Sequence, residues 1–144
     1  MSAVVKRYAA EEASDAVRQA GPLVTSELTR VEVVSAIRRK SRDDQIARRH
    51  ADALIAAFEH DLADTAGPLP GPFVVIRLRT DILDEAVTLL DRWPLKAADA
   101  LQLATAVVTR RLAPELTTVL CLDRQLAAAF RADNFIVRAN VGGE

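Results

Sequence analysis

Short apolar segments alternate with longer helical segments along this 144-residue chain, and this alternation constrains its fold most strongly. The apolar segments cover residues 23–25, 73–76, 119–122 and 135–137. A strand that is buried on both faces reads as a continuous apolar run, whereas a strand with one solvated face alternates between apolar and polar residues. The pattern therefore predicts an α/β fold with a mainly parallel sheet.

The segments around these strands have the composition and periodicity of helices. We predict helices over residues 3–9, 11–20, 26–41, 44–64, 80–92, 96–112 and 124–132. Thr80 is expected to cap the helix that it begins, and Pro94 follows the end of that helix. Residues 67–72 (GPLPGP) are the clearest loop. Because no internal repeat or interdomain linker is visible, we expect a single domain over residues 1–144.

The composition excludes several classes of protein. Half of the residues are apolar, the formal net charge is −1, and there is one cysteine. A charge so close to zero argues against a module that binds nucleic acid through its overall positive charge. One cysteine cannot form a disulfide within the chain, and no apolar stretch is long enough to span a bilayer. We therefore expect a cytoplasmic protein that does not enter a membrane.

Three acidic residues stand in apolar surroundings: Glu32, Asp99 and Asp123. Carboxylates rarely occupy such positions unless something pairs with them. Their oxygen atoms are the ligands that a hard divalent cation prefers. Sites in parallel sheets form beyond the carboxyl ends of the strands, where Asp123 and the helix that carries Glu32 are both expected. The three acids therefore predict a candidate metal site.

Each of these acids also has an explanation that requires no function. Asp99 shares a helical face with Leu103 and is expected to face inward, although aspartate is also a favoured N-cap residue. A glutamate in the middle of a helix, such as Glu32, is usually solvated or paired with a base at the i+4 position, and here that position is Ala36, which leaves the solvated interpretation. Asp123 precedes a helix and suits an N-cap, a role that can coexist with metal binding.

The other candidates are weaker. Glu27 is a rival acid, but it lies in the first turn of its predicted helix, where the helix dipole explains it. His50 and His60 do not have the spacing of metal ligands, either with each other or with Cys121. Basic clusters at residues 38–42 and 110–111 are typical of solvated helix ends, and RNA contacts are their secondary interpretation.

Four segments of the chain carry a family resemblance through their order and spacing: residues 2–8 (SAVVKRY), 25–33 (TSELTRVEV), 98–106 (ADALQLATA) and 122–129 (LDRQLAAA). Together they resemble the PIN-domain ribonucleases, specifically the VapC-type toxins of bacterial toxin–antitoxin pairs. The third segment is the most specific. In this resemblance Glu32, Asp99 and Asp123 stand at the positions of the family's acids.

The resemblance implies a three-layer α/β/α fold around a mainly parallel sheet. It also implies one or two Mg²⁺ or Mn²⁺ ions held by Glu32, Asp99 and Asp123, and hydrolytic cleavage of RNA by a metal-dependent endoribonuclease. The expected partners are RNA, a cognate antitoxin protein and a second copy of the chain in a homodimer. Lys6 and Arg7 are expected to contact the RNA backbone.

The chain departs from the family pattern at its beginning. In the family, an apolar strand ending in aspartate precedes the first segment, whereas here Met1 directly precedes Ser2. We therefore expect a fold that lacks its first strand and first acid, through a truncated or misplaced start, and an impaired ribonuclease. The alternative is a catalytically inactive PIN-like protein that binds an antitoxin or a toxin partner. A structural α/β domain whose acids are only helix caps does not explain Glu32.

Overall fold

The computed structural model describes residues 23–63, 73–121 and 123–138. These residues form four short strands and five helices, in the order β1 (Leu23–Ser26), α1 (Leu28–Arg42), α2 (Arg48–Ala63), β2 (Phe73–Ile76), α3 (Thr80–Arg92), α4 (Ala97–Leu112), β3 (Thr118–Leu120), α5 (Arg124–Ala132) and β4 (Ile136–Arg138). The chain is therefore α/β, as expected. None of these helices is long and apolar enough to cross a membrane. The predicted helices over residues 3–9 and 11–20, with Lys6 and Arg7, and the loop over residues 67–72 lie outside the described residues.

The chain divides into two compact units. The first comprises residues 1–76 and 140–144, and its described elements are β1, α1, α2 and β2. The second comprises residues 77–139, and its described elements are α3, α4, β3, α5 and β4. Each unit contains one pair of parallel strands, β1 with β2 and β3 with β4. The prediction of parallel strand pairing is therefore confirmed for both pairs.

The first unit is built on the parallel pair β1 and β2. Leu23 lies opposite Phe73, and the pairing continues to Ser26 opposite Ile76. Helices α1 and α2 pack against each other, α1 also contacts β1, and α2 also contacts β2. Apolar side chains from α1, α2 and β2 are buried in the core of this unit: Val33, Ala36, Ile37, Ala51, Phe58 and Phe73. The rings of Phe58 and Phe73 meet edge to face, with centroids 6.5 Å apart.

Helix α1 ends in a backbone motif that the sequence pattern did not reveal. Asp44 has a positive φ of 54°. The Gln45 N–H donates to the Lys40 carbonyl at 2.9 Å, and the Asp44 N–H donates to the Ser41 carbonyl at 3.3 Å. This pair of bonds is the Schellman motif, which closes a helix through one residue of left-handed conformation. Because Asp44 is committed to this turn, α2 begins at Arg48 instead of at residue 44 as predicted.

The second unit is built on the parallel pair β3 and β4. Thr118 lies opposite Ile136, and the Cys121 N–H continues the pairing by donating to the Arg138 carbonyl at 3.2 Å. Helix α3 packs against α4, and α5 packs against α4 and β4. The buried apolar side chains of the three helices are Ile82, Ala86, Leu89, Ala100, Leu103, Ala104, Val107, Val108, Leu126, Ala127, Ala129 and Phe130.

A second Schellman motif connects α5 to β4. Asn134 has a φ of 64°, a conformation that asparagine tolerates better than most residues. The Phe135 N–H donates to the Phe130 carbonyl at 3.0 Å, and the Asn134 N–H donates to the Arg131 carbonyl at 3.0 Å. The rings of Phe130 and Phe135 pack edge to face, with centroids 5.5 Å apart. Phe135 thus completes the helix end, and β4 begins one residue later than predicted.

The beginnings of helices α3 and α4 differ in detail from the sequence predictions. Helix α3 has the predicted bounds, but Thr80 is its first helical residue, and the N-cap position is Arg79, which makes no capping hydrogen bond through its side chain. The prediction that Thr80 caps this helix is therefore wrong. The carboxylate of Asp81, in the first turn, accepts a hydrogen bond from the Ile82 N–H at 3.0 Å. Helix α4 begins at Ala97, one residue later than predicted, and ends at the predicted Leu112.

Candidate functional site

Asp123 is the N-cap of α5, as its sequence position allowed. Its backbone is extended (φ −81°, ψ 126°), and its Oδ1 accepts a hydrogen bond from the Leu126 N–H at 2.9 Å. This amide is the main reason that the pKa of the Asp123 carboxyl lies below its ordinary value. The Gln125 amide and the positive charge of Lys96 lower this pKa further, against the opposing effect of partial burial. Asp123 is therefore a well-oriented carboxylate that favours its ionised form.

Asp99 lies in the first turn of α4 and is half-buried. The N-cap of this helix is Lys96, so Asp99 is a helical residue and not a cap. The unsatisfied N–H groups at the start of a helix favour a negative charge in the first turn. Leu103, one turn further on the same face, is fully buried. Asp99 thus combines a favourable position for a carboxylate with an orientation toward the buried side of its helix.

The thiol of Cys121, directly after β3, is affected by the charges of both Asp99 and Asp123. Cys121 is a buried free cysteine that follows β3, and its thiol donates to the backbone oxygen of Asp123 at 3.5 Å. Burial is the main reason that the pKa of this thiol is raised. The negative charges of Asp123 and Asp99 raise the same pKa further. Both carboxylates therefore lie within electrostatic range of one side chain at the carboxyl end of β3.

The first turn of α5 is tied to the segment before α4. The side-chain amide of Gln125 donates a hydrogen bond to the carbonyl oxygen of Pro94. Lys96, two residues further along, is close enough for its charge to act on Asp123. Neither Gln125 nor Lys96 was among the site residues predicted from the sequence. The available signal was their position, since each belongs to the beginning of a helix that carries one of the predicted acids.

Glu32 lies on α1 in the first unit, where it is half-buried. The hydroxyl of Thr29, one turn before Glu32, shares a buried hydrogen bond of 2.8 Å with the hydroxyl of Thr25 in β1. The Ser26 hydroxyl, also buried, accepts a hydrogen bond from the Leu28 N–H at 3.2 Å. The carboxyl end of β1 therefore carries a cluster of buried hydroxyls. The sequence prediction missed this cluster, although a Thr-Ser pair after an apolar run was a signal for it.

Most of the rival groups have structural roles. Glu27 is the N-cap of α1, and its N–H donates to the Ile76 carbonyl at 2.9 Å, which extends the pairing of β1 with β2. The guanidinium of Arg110 lies 3.8 Å from the centre of the Phe135 ring and donates to the Asp133 carbonyl at 2.9 Å. Arg110 therefore holds α4 against the end of α5, and this packing explains it without an RNA contact.

A cation site needs several ligand atoms that converge on one point. Within residues 23–63, 73–121 and 123–138, no three His, Cys, Asp or Glu side chains are grouped so that they could hold a metal ion. Mg²⁺ is commonly held by only one or two carboxylates, with water and substrate phosphate as its other ligands. Asp99 and Asp123 therefore have donor chemistry that suits this ion. The joint metal-binding role of Glu32, Asp99 and Asp123 stays a prediction.

Replacing Asp123 by alanine is expected to lower the free energy of unfolding by about 1 kcal/mol at neutral pH, because an N-cap hydrogen bond is lost. The folded-state pKa of Asp123 is depressed, so its contribution is present above the unfolded pKa of about 4 and disappears as the pH falls through the folded value. Urea unfolding of both proteins in EDTA, followed by circular dichroism at several pH values, measures this difference. A stability difference that stays constant into strong acid would contradict the capping role.

Comparison with known proteins adds no assignment to this site. The sequence matches no protein-family model, and no curated protein matches it. The resemblance to PIN-domain ribonucleases therefore rests on the four sequence segments, and the chemistry rests on the acids described above.

Proposed function

We propose that this chain is a metal-dependent ribonuclease, the toxin component of a type II toxin–antitoxin system, on a three-layer α/β/α PIN-like fold. The observation that carries the proposal is that two acids lie at the beginnings of helices that contact each other, since Asp123 caps α5 and Asp99 lies half-buried in the first turn of α4. Glu32 is proposed as the third acid from the sequence segment in which it stands. The order of the four segments supports the choice of family.

The chemistry of the two aspartates supports a divalent cation. Two nearby carboxylates repel each other when both are ionised, and a cation between them removes that cost. Both acids lie where the first turn of a helix favours negative charge. Mg²⁺ and Mn²⁺ prefer carboxylate, carbonyl and water oxygens. Asp99, Asp123 and Glu32 would hold such an ion.

The residues of the chain would contribute to the reaction by orienting a carboxylate and by supplying a positive charge near the phosphate. When bound, the cation lowers the pKa of a coordinated water and stabilises negative charge on the phosphate under attack. The Leu126 N–H fixes the orientation of the Asp123 carboxylate. Lys96 contributes a positive charge beside Asp123 that attracts a phosphate oxygen. This scheme requires no nucleophile from the protein.

An exposed apolar stripe on α3 supports a protein partner, which we propose to be an antitoxin or a second copy of the chain. Leu83, Val87 and Leu90 follow one another at helical spacing and are 46%, 64% and 42% exposed. Exposed apolar surface of this kind is characteristic of protein–protein contacts. The stripe also favours the second candidate function, a PIN-like binding protein that engages such a partner without cutting RNA.

Cleavage of RNA by the purified chain tests the proposed function. We expect labelled single-stranded RNA to be cut in Mg²⁺ or Mn²⁺ and to stay intact in EDTA. Glu32→Gln should reduce the cleavage rate by roughly tenfold or more, because one carboxylate of the cation site loses its charge. Glu115→Gln, the same change at an exposed position after α4, is the matched control and should cut as the parent does.

The outcomes separate the two candidate functions. Cleavage that survives in EDTA, or that is equal in the Glu32 and Glu115 variants, would point to a contaminating nuclease. Retained partner binding without metal-dependent cleavage would establish the binding protein in place of the enzyme.

A further inference from the structure

The turn between α1 and α2 carries a concentration of positive charge, which we call the basic tip and define as residues 38–52. Its basic side chains are Arg38, Arg39, Lys40, Arg42, Arg48 and Arg49, and its acids are Asp43, Asp44 and Asp52. Six basic side chains against three carboxylates leave a formal charge of +3, in a chain whose net charge is −1. The basic tip thus differs in sign from the rest of the protein.

Helix ends explain only half of this charge. Arg39, Lys40 and Arg42 lie in the last turn of α1, where the helix dipole favours cations. Arg48 and Arg49 lie in the first turn of α2, which contains no acidic residue. Cations are unfavourable at this end of a helix. The position of Arg48 and Arg49 is therefore a local electrostatic cost that an anionic ligand would remove.

Three arginines of the basic tip carry exposed charges. Arg38 pairs with Asp52, with 2.5 Å between the guanidinium and carboxylate atoms, and this pair links α1 to α2. Arg42, Arg48 and Arg49 are exposed and form no ion pair with another described residue. Their charges are available at the surface.

Two properties of the basic tip indicate which kind of anion it would bind: it lacks exposed large apolar side chains, and most of its basic residues are arginines. Among the described residues, the large apolar side chains that are exposed all lie outside residues 38–52. A protein interface depends on buried apolar and aromatic anchors, which this surface does not offer. Arginine instead matches the geometry of phosphate oxygens and forms paired hydrogen bonds with them. A phosphate backbone therefore fits the basic tip better than an acidic protein does.

We propose that the basic tip binds the phosphate backbone of single-stranded RNA, independently of sequence, and serves as a docking surface for the substrate. The substrate role rests on the proposed ribonuclease function, whereas the binding itself does not. Contacts to the backbone position a nucleic acid and add affinity without reading bases. The positive charge of the basic tip would thereby allow a chain of net negative charge to bind RNA.

Binding of a short fluorescein-labelled single-stranded RNA, measured by anisotropy in EDTA, tests the proposal without any cleavage. The double variant Arg48→Gln/Arg49→Gln should bind roughly tenfold more weakly at low salt. Its plot of log affinity against log salt concentration should be shallower by about 1.4, since each lost contact to single-stranded RNA removes about 0.7. The control Arg131→Gln/Arg138→Gln makes the same charge change at exposed positions of the second unit and should bind as the parent does.

Several results would overturn the proposal. One is a parent protein that binds no RNA in EDTA, and another is a tip variant that binds as tightly as the control. Tight binding of labelled poly-glutamate, with the same dependence on Arg48 and Arg49, would assign the surface to an acidic protein. RNA binding that depends on the basic tip, in a protein that cuts no RNA with metal, would remove the ribonuclease proposal and leave this one standing.

Discussion

Adding Mg²⁺ or Mn²⁺ is expected to raise the free energy of unfolding of this protein by about 2.7 kcal/mol when the free ion is about 100 times its dissociation constant. The physical reason is that an ion bound by the proposed site of Glu32, Asp99 and Asp123 stabilises the folded state by mass action. The unfolded chain separates them and binds the ion poorly. Thermal and urea unfolding across a metal titration measure the shift.

Asp99→Asn should remove most of this stabilisation, because it takes one negative charge from the proposed cation site. Asp91→Asn makes the same chemical change on an exposed position of α3 and should keep the full shift. Equal shifts in the two variants would indicate unspecific binding to the acidic surface. A parent protein whose stability does not respond to millimolar metal would contradict the cation site and favour the view that these acids only support helix ends.

Phe58→Ala is expected to lower the free energy of unfolding of the first unit by about 3–5 kcal/mol. Phe58 is fully buried and packs edge to face on Phe73, so its ring connects α2 to β2. Removing the ring loses its transfer free energy and leaves a cavity that its neighbours fill only in part. A loss of this size is a large fraction of the stability of an ordinary domain.

Urea unfolding followed by circular dichroism measures this loss directly. Val31→Ala is the control, because Val31 lies in the same unit on α1 and is 65% exposed. Its truncation should change the stability by no more than about 0.5 kcal/mol. If the Phe58 variant lost less than about 1 kcal/mol, the core around β2 would be packed much more loosely than its buried side chains indicate.

The strands and helices could be read from the sequence because their signals are local. The continuous apolar runs predicted as strands were residues 73–76 and 119–122. The first is β2, and the second overlaps β3 (Thr118–Leu120) with its extension at Cys121, while α3 has the predicted bounds. Errors occurred where one residue leaves the helical conformation. Asp44 and Asn134 adopt positive φ and close their helices with Schellman bonds, so the following elements begin later than predicted. Periodicity carries no information on such single backbone torsions.

The sequence allowed each acid to be placed on its own helix. It did not show which side chains of different helices lie near one another. The sequence identified Asp123 as a possible cap and Asp99 as an inward-facing residue after the start of its helix, and both placements are confirmed. It did not identify the contact of Gln125 with Pro94 or the effect of Lys96 on Asp123, because these partners are 31 and 27 positions apart in the chain. Distances between such residues depend on how the elements pack.

The sequence by itself determined the α/β class, the bounds of most elements within a few residues and the identity of the acids, since these depend on composition and on neighbours a few positions away. Only the tertiary structure decided which strands pair, that the charges of Asp99 and Asp123 both act on the Cys121 thiol, and that Arg48 and Arg49 join the end of α1 in one basic surface. Pairing and charge clustering are set by burial and packing between distant segments, and the free energy of those contacts belongs to the folded arrangement as a whole.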